Sequence, residues 1–538
     1  MSSKKYLVTS ALPYANGSIH IGHLVEYIQT DIWVRFQKLI GNTCVYICAD
    51  DTHGTPIMLN AQKQGKTPEE FISHFYEEHQ ADFKLFHVKF DYFGSTNSVE
   101  NKTLAEDIYN KAKAIGGIYE KTIEQLYDDK ECMFLPDRFV KGTCPKCGAE
   151  DQYGDSCEVC SATYSPMDLI NPISVVSGDM PIKKESVHYF FKLSQFESQV
   201  KGWLGQSSVK DSVRNKLNEW FESGLRDWDI SRDKPYFGFQ IPGTTDKFFY
   251  VWLDAPIGYI SSTQNWAKDT GVDYNDIWKG DDWEIHHFIG KDILYFHTLF
   301  WPAMLHVGGY NLPEKVNVHG FLTVNGEKMS KSRGTFILAR DFADKINPEF
   351  LRYYYAAKLS DGLDDIDLNM DDFLVKINSD VLGKFINIGS RLGAILNKKL
   401  DGKLSIVSEE GRSLLSDIRE KSEEIKMSYD CLDYNKAMRL VMSAADLANR
   451  YIDEKAPWSV LKTDTDLARS ICTDGLNAFY YLSIYLQPVL PSIADQISTF
   501  LSAPNNSWSY LETHLENQSI MPYQHLAQRL QKEDIDLY

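Results

Sequence analysis

The stretch from Cys144 to Cys160 reads CPKCGAEDQYGDSCEVC, two CxxC pairs separated by nine residues, with Gly148 and Gly154 where the chain must turn. Each pair presents two thiolates to one tetrahedral ion, and four thiolates close the coordination sphere without an open position for substrate. Cys144, Cys147, Cys157 and Cys160 therefore predict a structural zinc ion. Two disulfides, or iron on the same sulfurs, are the alternatives. A second candidate is SIHIGHLV, residues 18–25, where His20 and His23 flank Ile21 and Gly22. Three chemistries fit it. The pair could ligate a metal with Asp50, Asp51 or His53 of the following DDTH, or could be ordinary polar residues at a helix end. It could also aim hydrogen bonds at an anion, because a helix N-terminus already concentrates N–H groups and positive potential. The third candidate, VNGEKMSKSRGT, places Lys328, Lys331 and Arg333 in a short Gly- and Ser-rich loop, which taken alone reads as a basic surface loop.

The elements that would position these groups are legible in outline. KYLVTS is apolar and β-rich, Leu24, Ile28, Ile32 and Phe36 recur every fourth residue, and NTCVYICAD follows, which predicts a βαβ unit. Its last strand runs into DDTHGTP, and open α/β sheets bind ligands at the carboxyl ends of their strands. From about Gly116 the pattern loosens around the cysteines, as for an insertion between two halves of a sheet. It resumes near Ser231, where KFFYVWLDAPIGYI and WEIHHFIGKDILYFHTLFWPAML read as strands delivering Asp254, His286, His287, Lys291 and Asp292 to a cleft. Beyond Leu351 helical spacing dominates, which predicts an all-α C-terminal domain.

At 538 residues and 43% hydrophobic content, the chain predicts two to four domains. A net charge of −19 excludes a protein that coats nucleic acid non-specifically, so any such contact must be local. The N-terminus lacks the apolar core and cleavage site of a secretory signal, and four clustered cysteines among nine suit a reducing compartment, so a cytoplasmic protein is expected. LNAFYYLSIYLQPVLPSIA contains Asn477, Gln487 and two prolines, and reads as a buried bundle helix rather than a membrane span.

HIGH in the first βα turn and KMSKS after the second half of a split sheet are, letter for letter, the two signatures of class I aminoacyl-tRNA synthetases. Together with ALPYANGSIHIGHL, CADDTHGTPI, YVWLDAPIGY, FIGKDILYFHTLFWPAML, FLPDRFVKGTCPKCG, WFESGLRDWDISRD and DEKAPW, they make nearly the whole chain resemble bacterial methionyl-tRNA synthetases. The resemblance implies a Rossmann-like parallel-sheet catalytic domain split by a zinc-binding insertion and followed by an all-α anticodon-binding domain. The implied boundaries are 1–115 and 231–325 for the catalytic halves, 116–230 for the insertion, 326–385 for the KMSKS loop and connecting region, and 386–538 for the helical domain.

The activity so implied is methionine–tRNA ligation, for initiator and elongator tRNA. Methionine attacks the α-phosphorus of ATP to give methionyl-adenylate and pyrophosphate, and then passes to the 3′ end of tRNA(Met). His20, Gly22, His23, Lys328 and Lys331 are the implied ATP-binding and catalytic residues, with Mg²⁺ arriving on the ATP. Ala11, Leu12, Tyr14, Trp252, Ala255, Pro256, Tyr259, Ile293, His297 and Trp301 are the implied methionine pocket, with Asp51 on the ammonium. Asn387, Arg391 and Trp458 are the implied anticodon readers, with Lys398 and Lys399 nearby. The insertion is too short for a large hydrolytic editing domain, and the chain stops at Tyr538 without the dimerising extension of many relatives, so a monomer is expected.

Overall fold

Five parallel strands form the central sheet: β1 (Lys5–Ser10), β2 (Thr43–Asp50), β3 (Tyr92–Ser95), β4 (Trp283–Gly290) and β5 (Lys315–His319), in the spatial order β5-β4-β1-β2-β3. The structure, a computed structural model, describes residues 3–154, 156–160, 162, 164–205, 209–329 and 335–535. All of β2 beyond Thr43 is buried, as expected of a parallel strand covered on both faces. The first crossover is helix α1 (Ile21–Leu39), whose Leu24, Ile28, Ile32 and Phe36 are completely buried against the sheet, which is why their spacing announces the helix. Strand order reverses between β1 and β4, and the carboxyl ends of these two strands open a crevice there.

Between β3 and β4 the chain leaves the sheet as a long antiparallel ribbon, Ile118–Asp128 against Ile182–Phe191. At its far end a small three-stranded sheet (Val140–Thr143, Gln152–Tyr153 and Ile170–Ser174) carries the cysteines. The chain returns through Trp228–Asp229, Ser231–Asp233 and Lys247–Phe249.

One expectation is corrected here. KFFYVWLDAPIGYI is a strand only over Lys247–Phe249, and then becomes the helices Val251–Asp254 and Ile257–Thr270. Leu253, Ile257, Tyr259 and Ile260 are buried there, and an unbroken apolar run looks the same in a buried helix as in a buried strand. WEIHHFIGKDILYFHTLFWPAML is likewise a strand only over WEIHHFIG, which is β4, and is helical over Lys291–Ile293, Phe296–Phe300 and Trp301–Gly308.

The C-terminal region is helical, built on α2 (Asn387–Lys399), α3 (Tyr434–Lys455) and α4 (Thr465–Leu486). Every residue of α4 from Ile471 to Leu486 is buried. Its Asn477 is satisfied there by the carbonyls of Thr473 and Leu515 and by the Leu515 N–H. Among the described residues no helix is long and apolar enough to cross a membrane. Helix α1 is shared between the two regions: its Phe36 stacks on Tyr429 at 5.1 Å, its Trp33 indole donates to the Asp430 carbonyl, and the Tyr434 hydroxyl donates to the Gln29 carbonyl. Near its middle, Asp31 pairs with the buried Arg352, which also donates to the carbonyls of Phe86, Pro488 and Val489. Glu349, one turn before Arg352, accepts the N–H groups of Ser492 and Ile493 at the start of the helix Pro491–Leu501.

Candidate active site

A cavity of about 620 Å³ opens at the carboxyl ends of β1 and β4. All eleven residues expected around methionine line it, and so do His20, Gly22, His23 and Lys328. Lys331 and Arg333 lie outside the described residues.

One end is built on the N-terminus of α1. His20 is the N-cap, and its Nδ1 accepts the His23 N–H at 3.3 Å while the His23 Nδ1 accepts the His20 N–H at the same distance. Each Nδ1 is thus an acceptor, so the proton of each neutral ring sits on Nε2. Burial, with His20 and His79 nearby, holds His23 well below the ordinary histidine range, which keeps it a neutral donor. The chain following the lysine loop is laced to this turn: Ile21 donates to the Ile337 carbonyl at 3.1 Å, Ala339 donates to the Ile19 carbonyl at 2.9 Å, and Phe336 meets the His20 ring edge-on. At Gly22 a Cβ would come within 3.0 Å of the His20 ring and the Met329 sulfur, so any side chain there would press on both.

The other end is apolar and aromatic. Trp252 stacks on Phe296 at 3.9 Å, and Tyr259 and Trp301 are buried beside it. A chain of neutral hydrogen bonds fixes them. The His297 Nδ1 donates to the Ile293 carbonyl and its Nε2 accepts the Tyr259 hydroxyl at 2.8 Å, while the Trp301 indole donates to the His287 Nε2 at 3.0 Å. Burial draws His297 down to about 4, so no charge disturbs this wall. Asp51 enters from the end of β2, its backbone bonded to Pro13 and Ala15. Its Oδ1 is buried and accepts no hydrogen bond among the described residues, and burial and then the charge of Asp254 push its carboxyl well above the usual range. Asp254 is itself held by His53. A carboxylate in that setting is arranged for a cation.

The sequence reading missed several wall residues. Glu26 and Tyr27 follow His23 by three and four positions on α1, so helical spacing could have found them. Glu26 faces His319 at 3.3 Å, and burial raises its carboxyl. Of the polar tips expected at the cleft, Asp292 lines the cavity, whereas Asp254, His286, His287 and Lys291 are not in its lining; Phe296, His319, Met329, Phe336 and Asp365 reach it only through the long-range arrangement of the chain.

The four cysteines form a separate cluster on the insertion. Their sulfurs all lie within 4.8 Å of one another, Cys144 to Cys160 at 3.8 Å and Cys147 to Cys157 at 3.5 Å. A tetrahedron with metal–sulfur bonds of about 2.3 Å has edges of about 3.8 Å, so the donor set fits a zinc-sized ion. Backbone N–H groups of Lys146 and Cys160 donate to the sulfurs of Cys144 and Cys157. Asn387, Arg391 and Trp458 form a third group on the helical region. Asn387 and Arg391 lie one turn apart on α2, and the Arg391 guanidinium sits 4.5 Å over the Trp458 ring while pairing with Asp453.

Comparison with known proteins follows the same division. The family described as tRNA synthetases class I (M) matches residues 6–393, and the anticodon binding domain of methionyl tRNA ligase matches residues 403–525. The chain is 53% identical to the methionine–tRNA ligase of Thiobacillus denitrificans across 99% of this chain and 78% of that one. Mycobacterium tuberculosis methionyl-tRNA synthetase in complex with methionyl-adenylate shares the fold, with a TM-score of 0.80 at 24% identity over 97% of this chain and 99% of that one. Its apo form gives 0.74 at 22% identity over 99% of both chains. The chain belongs to the methionyl-tRNA synthetase family of class I aminoacyl-tRNA synthetases.

Proposed function

We propose that the protein is a methionine–tRNA ligase, and the observation that carries this reading is one cavity with two chemically opposite ends. A thioether suits the wall of Trp252, Tyr259 and Trp301, aided by Ala11, Leu12, Tyr14, Ala255, Pro256, Ile293 and His297. The methionine ammonium supplies the cation for Asp51, which leaves the carboxylate pointing toward His20 and His23.

The methionine carboxylate oxygen attacks the α-phosphorus of Mg²⁺-bound ATP, the bond to the β-phosphate oxygen breaks, and pyrophosphate leaves. Charge builds on the phosphate oxygens in the transition state, and the Nε2–H groups of His20 and His23 are placed to receive it. Lys328 and Lys331 hold the departing pyrophosphate. A terminal ribose hydroxyl of tRNA then takes the methionyl group and releases AMP. Selection of tRNA(Met) falls to Asn387, Arg391 and Trp458, through hydrogen bonds to base edges and stacking on an unstacked base. Zinc in the four-cysteine cluster serves structure, since four thiolates leave no position for substrate.

ATP/pyrophosphate exchange with each amino acid in turn tests the reading. Methionine-dependent exchange is expected. Cysteine-dependent exchange would point to a different class I synthetase, and no exchange at all to a zinc-bearing RNA-binding protein without activity.

A further inference from the structure

His188 lies on the insertion strand Ile182–Phe191 and is completely buried. Its Nδ1 is 2.7 Å from Asp229 Oδ2 and its Nε2 is 2.9 Å from Asp233 Oδ2. A neutral imidazole carries one N–H, so it would turn a lone pair toward one of these carboxylates; only the imidazolium donates to both. Burial opposes the charge, yet the two carboxylates outweigh it and hold His188 above the ordinary histidine value. The other charged groups around it come from each neighbouring strand. Lys247 pairs with Asp233, and Arg232 approaches Asp229 at 3.5 Å. Lys121, opposite His188 on the ribbon, holds its ammonium over Phe190. Ser186 donates to Asp233, and Ser231 donates to Asp229 while accepting the Tyr189 N–H.

This knot ends at the cavity wall. The Arg232 guanidinium lies 3.6 Å over the Tyr250 ring, and the Tyr250 N–H donates to the Ile230 carbonyl. Tyr250 is the N-cap of the helix Val251–Asp254, which brings Trp252 to the aromatic wall and Asp254 to the neighbourhood of Asp51.

Resting on the methionine-activating reading above, we propose that His188 is a positioning residue for the amino-acid end of the cavity. As an imidazolium between Asp229 and Asp233, it locks the insertion to the 229–233 turn and, through Arg232 and Tyr250, sets the Val251–Asp254 helix. None of these groups reaches the histidine end of the cavity. Its loss therefore acts on methionine and spares ATP.

The test is methionine-dependent ATP/pyrophosphate exchange by the full chain and by His188→Gln, with KM measured separately for each substrate. The glutamine amide donates to one carboxylate only. The expected result is a KM for methionine raised about tenfold at neutral pH with KM for ATP unchanged. In the parent, KM for methionine, corrected for the amino acid's own ammonium titration, climbs as pH rises above the ordinary histidine value of about 6.5 and His188 loses its proton, and in the variant that step is missing. Equal methionine KM in the two proteins overturns the proposal, as does a parallel rise in both substrates' KM. If the variant does not fold, the parent's corrected profile decides: a rise supports the role and a flat profile overturns it. Absence of exchange in the parent instead counts against the activity itself.

Discussion

The imidazoles of His20 and His23 stack with ring centroids 3.5 Å apart, each Nδ1 accepting the other residue's backbone N–H. That reciprocal cap turns both Nε2–H groups into directed donors at the mouth of a helix. On the proposed reading, replacing His23 by alanine removes one donor to the growing phosphate charge, and one such donor accounts for about 100-fold or more in rate. Stopped-flow adenylate formation by His23→Ala should slow by that factor with methionine affinity nearly unchanged. Equal losses in both would sink the assignment. Because His23 sits well below the ordinary histidine range, the parent's adenylation rate should show no step from its protonation between about pH 6 and about pH 8.

Asp51→Asn keeps the shape of the proposed ammonium subsite and removes its charge. Breaking a buried charge pair costs about 3 kcal/mol, roughly 100-fold in affinity. Calorimetric titration with methionine should show that loss, while nucleotide binding at the other end of the cavity stays at the parent value.

Trp458 is 40% exposed under the Arg391 guanidinium. Losing one aromatic–base stack costs about 1–3 kcal/mol, so Trp458→Ala should lower kcat/KM for tRNA about tenfold or more. ATP/pyrophosphate exchange should be untouched. Parent-like charging would remove this residue from the anticodon surface.

Cys160→Ala leaves three thiolates where four fit one ion. Zinc content by elemental analysis should fall from one per chain toward zero, and the melting temperature should drop with it, because structural metal binding is folding free energy. Retained stoichiometric zinc would contradict the four-sulfur site.

Glu349 gives a pH-dependent stability. Burial raises its carboxyl from 4.5 to about 7 despite the N–H groups of Ser492 and Ile493. The protonated form is the one the fold favours, so its stabilisation is fully present below about pH 4.5 and is lost as pH rises through about 7. Glu349→Gln should therefore be more stable than the parent near pH 8, by about 3 kcal/mol at most, and the gap should close near pH 5. Urea melts at the two values would show it, and a gap independent of pH would refute it.

Local pattern carried much of this architecture. The fourth-residue spacing in α1, the CxxC pairs and the loop around Lys328 are all short-range signals, and each could be read directly. Trp252 was legible as a candidate while its setting was not, because the apolar run around it does not distinguish strand from helix. Glu26 with His319, and His188 with its two aspartates, join residues far apart in the chain, and only the sheet order and the returning ribbon bring them together. The lacing of Ile337 and Ala339 to the His20 turn is of the same kind, since backbone pairing leaves no mark on side-chain identity.

Helix α1 begins at the two histidines and ends against Tyr429 and Asp430, some 28 Å away by its length. The molecule therefore has no clean line along which to be cut. A catalytic fragment ending before α2 would expose Phe36 and Trp33 and strip Arg352 of two of its carbonyl partners. The helical bundle serves as the missing side of the catalytic core, so truncation is expected to yield an aggregating protein rather than a smaller enzyme.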